Sequence, residues 1–316
     1  MLSIILLSYN SGERLNAVHQ LVKSHLEAES IPYELIIMDD GSTDQSFAIA
    51  KNLENDFREV RAYRLSKNFT SPYSQFAGMS VAKGNCISPM ADDFQKPIEV
   101  IVQMYRKWEA GAKIVICHRT KRNDGILTNF FANSYYWMMN HFSSVNFPIG
   151  GSDGMLVDRE VADILIHQIK QNSSSPIMEV LKLGFDPVLV PFERPASKTK
   201  SRWTFRKKIK LAADTFFSSS SVPIRFITVL GFSIFFLSLC LIILIICLKL
   251  FSDNQLFGLP IQGWTTLVIL LCLFNGLILF SLGIVAEYIW RIYEISKGNP
   301  PFIIRKDDHQ KDDHAN

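Results

Sequence analysis

Glu34-Leu35-Ile36-Ile37-Met38-Asp39-Asp40-Gly41-Ser42-Thr43-Asp44 joins an apolar run to two adjacent carboxylates, a glycine and two hydroxyl side chains. The run has the length of a buried strand, and Gly41 with Ser42 and Thr43 reads as a tight turn that caps the next helix. Turn chemistry explains the glycine and the hydroxyls. Neighbouring carboxylates at a strand end repel one another, which points to a ligand. Working outward, the same punctuation recurs. Apolar runs at Ser3–Leu7, Glu34–Met38, Arg61–Leu65, Cys86–Met90 and Lys113–Cys117 alternate with helical patterns at Glu13–Glu27, Thr43–Phe57, Pro72–Ala82 and Pro97–Glu109. Alternation of this kind predicts βαβ units and a mostly parallel sheet buried on both faces.

Ligands of such sheets bind beyond the carboxyl ends of the strands. Those ends carry Ser8-Tyr9-Asn10, Asp39–Asp44, Ala91-Asp92-Asp93-Phe94-Gln95, and His118-Arg119 with Arg122 close behind. Singly, each has a bland reading: a capped turn, a solvated acidic pair, surface arginines. Their recurrence at successive strand ends predicts one shared rim. No GxGxxG follows the first strand and no GxxxxGK[ST] occurs, so a dinucleotide dehydrogenase and a P-loop NTPase both lack their phosphate-cradling glycines.

The chain has 316 residues, 48% apolar and 20% charged, enough for about two domains and unlike a disordered chain. Its net charge of +3 is too small to read as a nucleic-acid signature. Five cysteines, Cys86, Cys117, Cys240, Cys247 and Cys272, form no CxxC pair, which argues against a disulfide framework or a cysteine zinc site and for a reducing compartment.

Phe226–Leu248 and Trp264–Ala286 are each 23 residues without a charge. Their length predicts two transmembrane helices, and the lysines and arginines flanking the pair place both termini in the cytosol. Lys198–Lys210 holds seven basic residues and no acid, and Thr204–Phe217 reads as an amphipathic helix on an anionic lipid surface. The expected location is thus the cytoplasmic (inner) membrane, with two spans. Expected units are a catalytic domain over 1–203, a juxtamembrane helix over 204–225, a hairpin over 226–289 and a cytosolic tail over 290–316. Asn275, midway in the second run, offers a route to homo-oligomers.

Tyr9-Asn10, Asp39–Asp44, Leu65-Ser66-Lys67-Asn68-Phe69, Ala91–Pro97 and the C-terminal pair of apolar runs resemble family 2 glycosyltransferases. The resemblance covers nearly the whole chain and is strongest to membrane-anchored polyprenyl-phosphate glycosyltransferases, such as dolichyl-phosphate mannose synthases and bactoprenol glucosyltransferases. It implies a GT-A fold, Rossmann-like and mostly parallel. It also implies inverting transfer of a sugar from a nucleotide sugar to a polyprenyl phosphate, with Mg²⁺ or Mn²⁺. The implied partners are that donor, that lipid phosphate and membrane lipids, with no nucleic acid.

By the same resemblance, Tyr9, Asn10, Asp39, Asp40 and Ser201 would bind the nucleotide. Ala91-Asp92-Asp93-Phe94-Gln95-Lys96-Pro97 stands where the family has Asp-Ala-Asp-Leu-Gln-Asp-Pro. Asp93 and Gln95 would then ligate the metal, with Asp92 as a displaced carboxylate for the one that Ala91 lacks. Ser152-Asp153-Gly154 matches the family's Gly-Asp-Phe and Ser201-Arg202-Trp203 resembles its Ser-Lys-Tyr or Ser-Lys-Trp, making Asp153 and Arg202 catalytic. Arg119 and Arg122, singled out by their place after a strand, would join them by holding the acceptor phosphate through forked hydrogen bonds. The basic pair usual after Asp124 is Thr128-Asn129 here. Two alternatives stay open: a family 2 transferase that elongates a surface glycan, and a catalytically impaired, membrane-anchored nucleotide-sugar-binding protein.

Overall fold

The computed structural model describes residues 1–93, 96–120, 152–169, 175–193, 255, 256, 259, 260, 264–296 and 300–305, together with helical residues at 226, 227, 229–234, 236, 237, 240 and 243. Strands and helices alternate as β1 (Leu2–Ser8), α1 (Arg14–Ala28), β2 (Tyr33–Asp39), α2 (Ser46–Asp56), β3 (Val60–Arg64), α3 (Ser71–Val81), β4 (Cys86–Ala91), α4 (Ile98–Glu109) and β5 (Ile114–Arg119). Then come β6 (Gly154–Asp158), α5 (Arg159–His167), α6 (Pro176–Lys182) and β7 (Val188–Phe192). Among the described residues, seven strands make one sheet in the order β3-β2-β1-β4-β6-β5-β7. Every pairing is parallel except those of β6, which runs antiparallel to both β4 and β5.

The period-2 pattern of the strands explains why both faces are covered. Ile4, Leu6, Leu35, Ile37, Val115 and Cys117 pack with Leu15, Val18, Leu53, Ile101 and Met104, so α1, α2 and α4 share one face. Ile5, Ile36, Met38, Ile114 and Ile116 pack with Phe76, Val161, Leu165 and Val180, so α3, α5 and α6 share the other. A one-residue slip in β1 would exchange these two sets, which fixes its register. Below the sheet's amino edge, buried Glu34 accepts from the Ser3 hydroxyl at 2.6 Å and from the amides of Lys83 and Gly84 at 2.6 and 3.1 Å.

The free edge of β3 is not bare. Leu65 pairs antiparallel with Ile304, the Ser66 amide donates to the Ile303 carbonyl and the Arg305 amide to the Arg64 carbonyl, both at 2.9 Å. Phe302 and Ile304 pack on the α3-side core. Covering an edge in this way satisfies ladder groups that would otherwise invite another chain.

The chain divides into two units, one of residues 1–219 with 299–316 and one of residues 220–298. In the second, β8 (Gln255–Leu256) and β9 (Leu259–Pro260) form an antiparallel pair, and α7 (Trp264–Ser296) is a 33-residue helix. The expectation of two membrane spans is corrected here. Among the described residues no helix is long and apolar enough to cross a membrane, so a two-span location in the inner membrane is not supported. A span needs about 20 consecutive apolar residues. The run expected at Phe226–Leu248 lies only in part among the described residues, and α7 carries Asn275 within its uncharged stretch and runs on through Glu287, Arg291 and Glu294. The interfacial helix expected at 204–225 lies outside the described residues.

Candidate active site

Because β1, β2, β3 and β4 are parallel and β6 reverses between β4 and β5, the carboxyl ends of β1–β5 and the amino end of β6 share one edge. Asp39, Asp93 and Arg119, which the strand-end pattern groups, therefore lie on one rim, and Asp153, which that pattern does not include, lies there with them. The rim has two halves of different character.

The first half is a web of turns. The Asp39 carboxylate is fully buried; it accepts from the Ser42 amide at 3.1 Å and from the Ser42 hydroxyl, and it pairs with Arg64 Nε at 3.3 Å. The same guanidinium donates to the Ser42 carbonyl at 2.7 Å and lies over the Phe47 ring. Asp40 turns the other way and accepts from the amides of Phe69 at 2.7 Å and Thr70 at 3.0 Å. Asn10 bridges β1 to this turn: its amide donates to the Ser42 hydroxyl, and its Oδ1 accepts from the Thr43 amide at 3.0 Å. Asn10 (φ 49°) and Thr70 (φ 78°) both occupy left-handed backbone space, and such strain persists only where the surroundings hold it. Tyr9 is 39% exposed at the lip of this web.

Burial pushes the Asp39 carboxyl above the usual range, partly offset by its bonds to Ser42 and by Arg64. Burial likewise pushes Asp40 up to about 6 against the pull of the Phe69 and Thr70 amides. The two carboxylates expected at the nucleotide thus also brace the loops that would surround it.

Gly41 makes this bracing feasible. Its φ is +69°, and a Cβ there would stand 2.7 Å from the Lys67 carbonyl carbon and 3.0 Å from the Asn68 amide. Gly41→Ala combines a left-handed alanine with a backbone collision, so we expect a loss of about 2 kcal/mol in urea unfolding. An unchanged midpoint would show that the turn is slack.

The second half is a small cavity of about 120 Å³ lined by Pro89, Ala91, Asp93, Lys96, Arg119, Asp153 and Phe192. Arg119, the last residue of β5, faces Asp153, the residue before β6. Its Nη2 donates to Oδ1 at 2.5 Å while its Nε donates to Oδ2. This fork is the geometry in which guanidinium and carboxylate bind most strongly. Backbone pairing sets it: the Asp153 amide donates to the Cys117 carbonyl at 3.0 Å, continuing the β5–β6 ladder.

The Lys96 ammonium donates to the Pro89 carbonyl at 3.0 Å. Burial holds it below the ordinary lysine range, opposed by Cys117 and Asp153. Lys96 and Arg64 are residues of this rim that sequence reasoning does not single out. In the sequence, Lys96 is one member of a longer motif and Arg64 one member of a strand.

Of the three residues expected at a metal, the two that are described, Asp92 and Asp93, part company. Asp93 lines the cavity, whereas buried Asp92 sits 2.9 Å from Arg14 Nη2 on α1. Gln95 lies outside the described residues, as do Ser201, Arg122 and Arg202. Among the described residues no three His, Cys, Asp or Glu side chains cluster as a ready-made metal cage.

Residues 3–164 match the family described as Glycosyl transferase family 2. The uncharacterised glycosyltransferase YkcC of Bacillus subtilis (strain 168) is 30% identical over 308 residues, covering 96% of this chain and 93% of its own. The SfII prophage-derived bactoprenol glucosyl transferase of Shigella flexneri is 30% identical over 312 residues, covering 96% and 97%. Among solved structures, glucosyl-3-phosphoglycerate synthase from Mycobacterium tuberculosis in complex with uridine-diphosphate superposes with a TM-score of 0.48 at 16% identity, over 68% of this chain and 79% of that one.

Proposed function

Because the chain belongs to glycosyl transferase family 2, we propose that it is an inverting transferase moving a sugar from a nucleotide sugar to a polyprenyl phosphate of the undecaprenyl or dolichyl type. Its α/β fold with a mostly parallel sheet is GT-A-like. Similarity to bactoprenol glucosyl transferases along almost the full length of both chains supports the acceptor. The observation that carries the reading is the meeting of Asp93, Lys96 and the Arg119–Asp153 pair in one cavity at the sheet's carboxyl edge. A cavity of about 120 Å³ is too small for a whole nucleotide sugar, since ligand sites usually reach about 300 Å³ or more. It suits the phosphates and the reacting carbon, while the base and ribose extend toward Tyr9, Asn10 and the Asp39–Asp40 turn.

The chemistry needs little proton traffic. An oxygen of the acceptor phosphate, already anionic near neutral pH, forms a bond to the anomeric carbon. The bond from that carbon to the diphosphate breaks on the opposite face, and the electron pair leaves with the diphosphate. Asp153 then serves to hold Arg119 in place rather than to take a proton, and Arg119 presents fixed donors to the charge that shifts during transfer. Arg122, Arg202 and Ser201 complete the anion-binding and nucleotide-binding set in this reading. A divalent ion of the Mg²⁺ or Mn²⁺ type would be held by Asp93, with Gln95 beside it as the resemblance implies, because Mg²⁺ is held by one or two carboxylates plus substrate phosphates rather than by a protein cage. When bound, it supplies positive charge to the departing diphosphate.

The test is direct. Full-length protein is incubated with undecaprenyl phosphate and a panel of radiolabelled UDP- and GDP-sugars. Transfer yields a chloroform-soluble label that mild acid releases; excess EDTA abolishes it, and Mg²⁺ or Mn²⁺ restores it. A water-soluble polymer as the labelled product would favour the glycan-elongating alternative, and nucleotide binding without any product would sink the transferase assignment.

A further inference from the structure

Lys96 is the one cation of the cavity that no carboxylate claims by a direct bond among the described residues. Its ammonium spends one proton on the Pro89 carbonyl and lines the cavity beside Asp93, Arg119 and Asp153. The fold makes room for it. A Cβ at Gly154 would lie 2.9 Å from Lys96 Nζ and 3.6 Å from its Cδ, so a glycine at 154 is what lets the lysine stem cross the start of β6. The Cys117 side chain flanks the same path, 3.2 Å from that Cβ position. Its anchor point, Pro89, lies on β4, whose carboxyl end delivers Ala91 and Asp93 to the cavity.

Charge points the same way. Arg119 and Asp153 neutralise each other through their fork, and Asp92 is turned to Arg14. Asp93 forms the negative wall of the cavity and Lys96 the positive one. An ammonium is a compact point charge with three donors, suited to an oxyanion that arrives from more than one direction.

We infer that Lys96 is a phosphate-binding residue, whose ammonium holds an oxygen of a phosphate brought into the cavity by donor or acceptor. This inference rests on the transferase reading for the identity of those reactants. It adds a contact to this chain's own site that the strand-end pattern does not reveal. The lysine supplies fixed positive charge on the side of the cavity where Ala91 offers no carboxylate, and it does so before any ion arrives.

The experiment uses full-length Lys96→Met, which keeps the stem over Gly154 and removes only the charge, with Lys96→Arg and Gly154→Ala alongside. UDP, GDP and dTDP, each with its monophosphate, are titrated calorimetrically against wild type and variants, in Mg²⁺ and in EDTA. The KM for undecaprenyl phosphate is measured in parallel. If Lys96 holds the donor, Lys96→Met weakens the diphosphate by about tenfold or more in both media, leaves the monophosphate unchanged, and Lys96→Arg recovers part of the loss. If it holds the acceptor, nucleotide affinities stay level and the KM for the lipid phosphate rises by about tenfold. Gly154→Ala, which displaces the ammonium, shifts the same quantity in the same direction. Unchanged diphosphate affinity and unchanged KM in a folded Lys96→Met protein overturn the assignment. A wild type that binds none of the nucleotides counts against the transferase reading instead.

Discussion

Asp153→Asn is expected to lower sugar transfer by about 10²–10³-fold while leaving nucleotide affinity within about threefold. The reason lies in the fork between β5 and β6. Both Asp153 oxygens accept from Arg119, and both side chains are largely shielded, with 22% and 17% of their surface exposed. An asparagine turns one acceptor into a donor that opposes a guanidinium N–H, so the fork becomes a single bond and the guanidinium leaves its plane. What is lost is preorganised charge at the reacting atoms, not a contact to the base.

Arg119→Lys is expected to fail as a substitute, because an ammonium does not match two carboxylate oxygens at once. Because the pair acts as a unit, Arg119→Ala/Asp153→Ala should be no slower than the worse single variant. Rates that multiply in the double variant would show two independent roles, and an Asp153→Asn enzyme with the wild-type turnover would remove Asp153 from the chemistry altogether. A paired loss of nucleotide affinity and turnover would instead mark the fork as a support of the whole rim.

The parallel half of the sheet is legible in the sequence because apolar runs of strand length, divided by helical periods, leave few other arrangements. Ser3–Leu7 and Glu34–Met38 fall inside β1 and β2, and Pro97–Glu109 differs from α4 by one residue. The segment after β5 is harder to read. Gly154-Met155-Leu156-Val157-Asp158 is short, carries a motif and inserts antiparallel between β4 and β5, a pairing that no local pattern announces. The covering of β3 by Phe302–Arg305 is equally invisible, since those residues are distant in sequence and meet only through the fold. The rim is readable as a set of chemistries, whereas side-chain direction is not. Asp92 and Asp93 are neighbours, yet one turns to α1 and the other lines the cavity. The uncharged runs at Phe226–Leu248 and Trp264–Ala286 speak through composition alone, and the absence of charge is a necessary property of a span rather than a sufficient one.

Asp40 gives the chain a stability that should fall as pH rises through about 6, against the trend set by most carboxylates. The residue is 5% exposed, and burial pushes its carboxyl up to about 6 in the folded chain, above the ordinary value of 3.8. A group that binds its proton more tightly when folded contributes its stability below the unfolded value and loses it as pH climbs through the folded one. A shift of this size corresponds to about 2 kcal/mol lost between pH 4.5 and 7.5. Asp39, also raised by burial, adds in the same direction. Asp44 and Asp158 work the other way. Burial alone would raise both, but hydrogen bonds from Ser46, and from Trp108 and Lys113, outweigh it and hold them low, so their contribution fades only below about pH 4. His19 also opposes Asp40 within the window, because burial depresses its imidazole and its contribution is lost as pH falls through the histidine range. The decisive quantity is therefore the difference between wild type and Asp40→Asn in urea unfolding across that range. Asparagine cannot ionise, yet it also leaves one of the Phe69 and Thr70 amides facing a donor, so the two proteins should differ little near pH 7.5. At pH 4.5 wild type should be the more stable by about 2 kcal/mol. Parallel stability curves for the two proteins would mean that Asp40 titrates like an ordinary carboxylate, and that the turn above it is open to water.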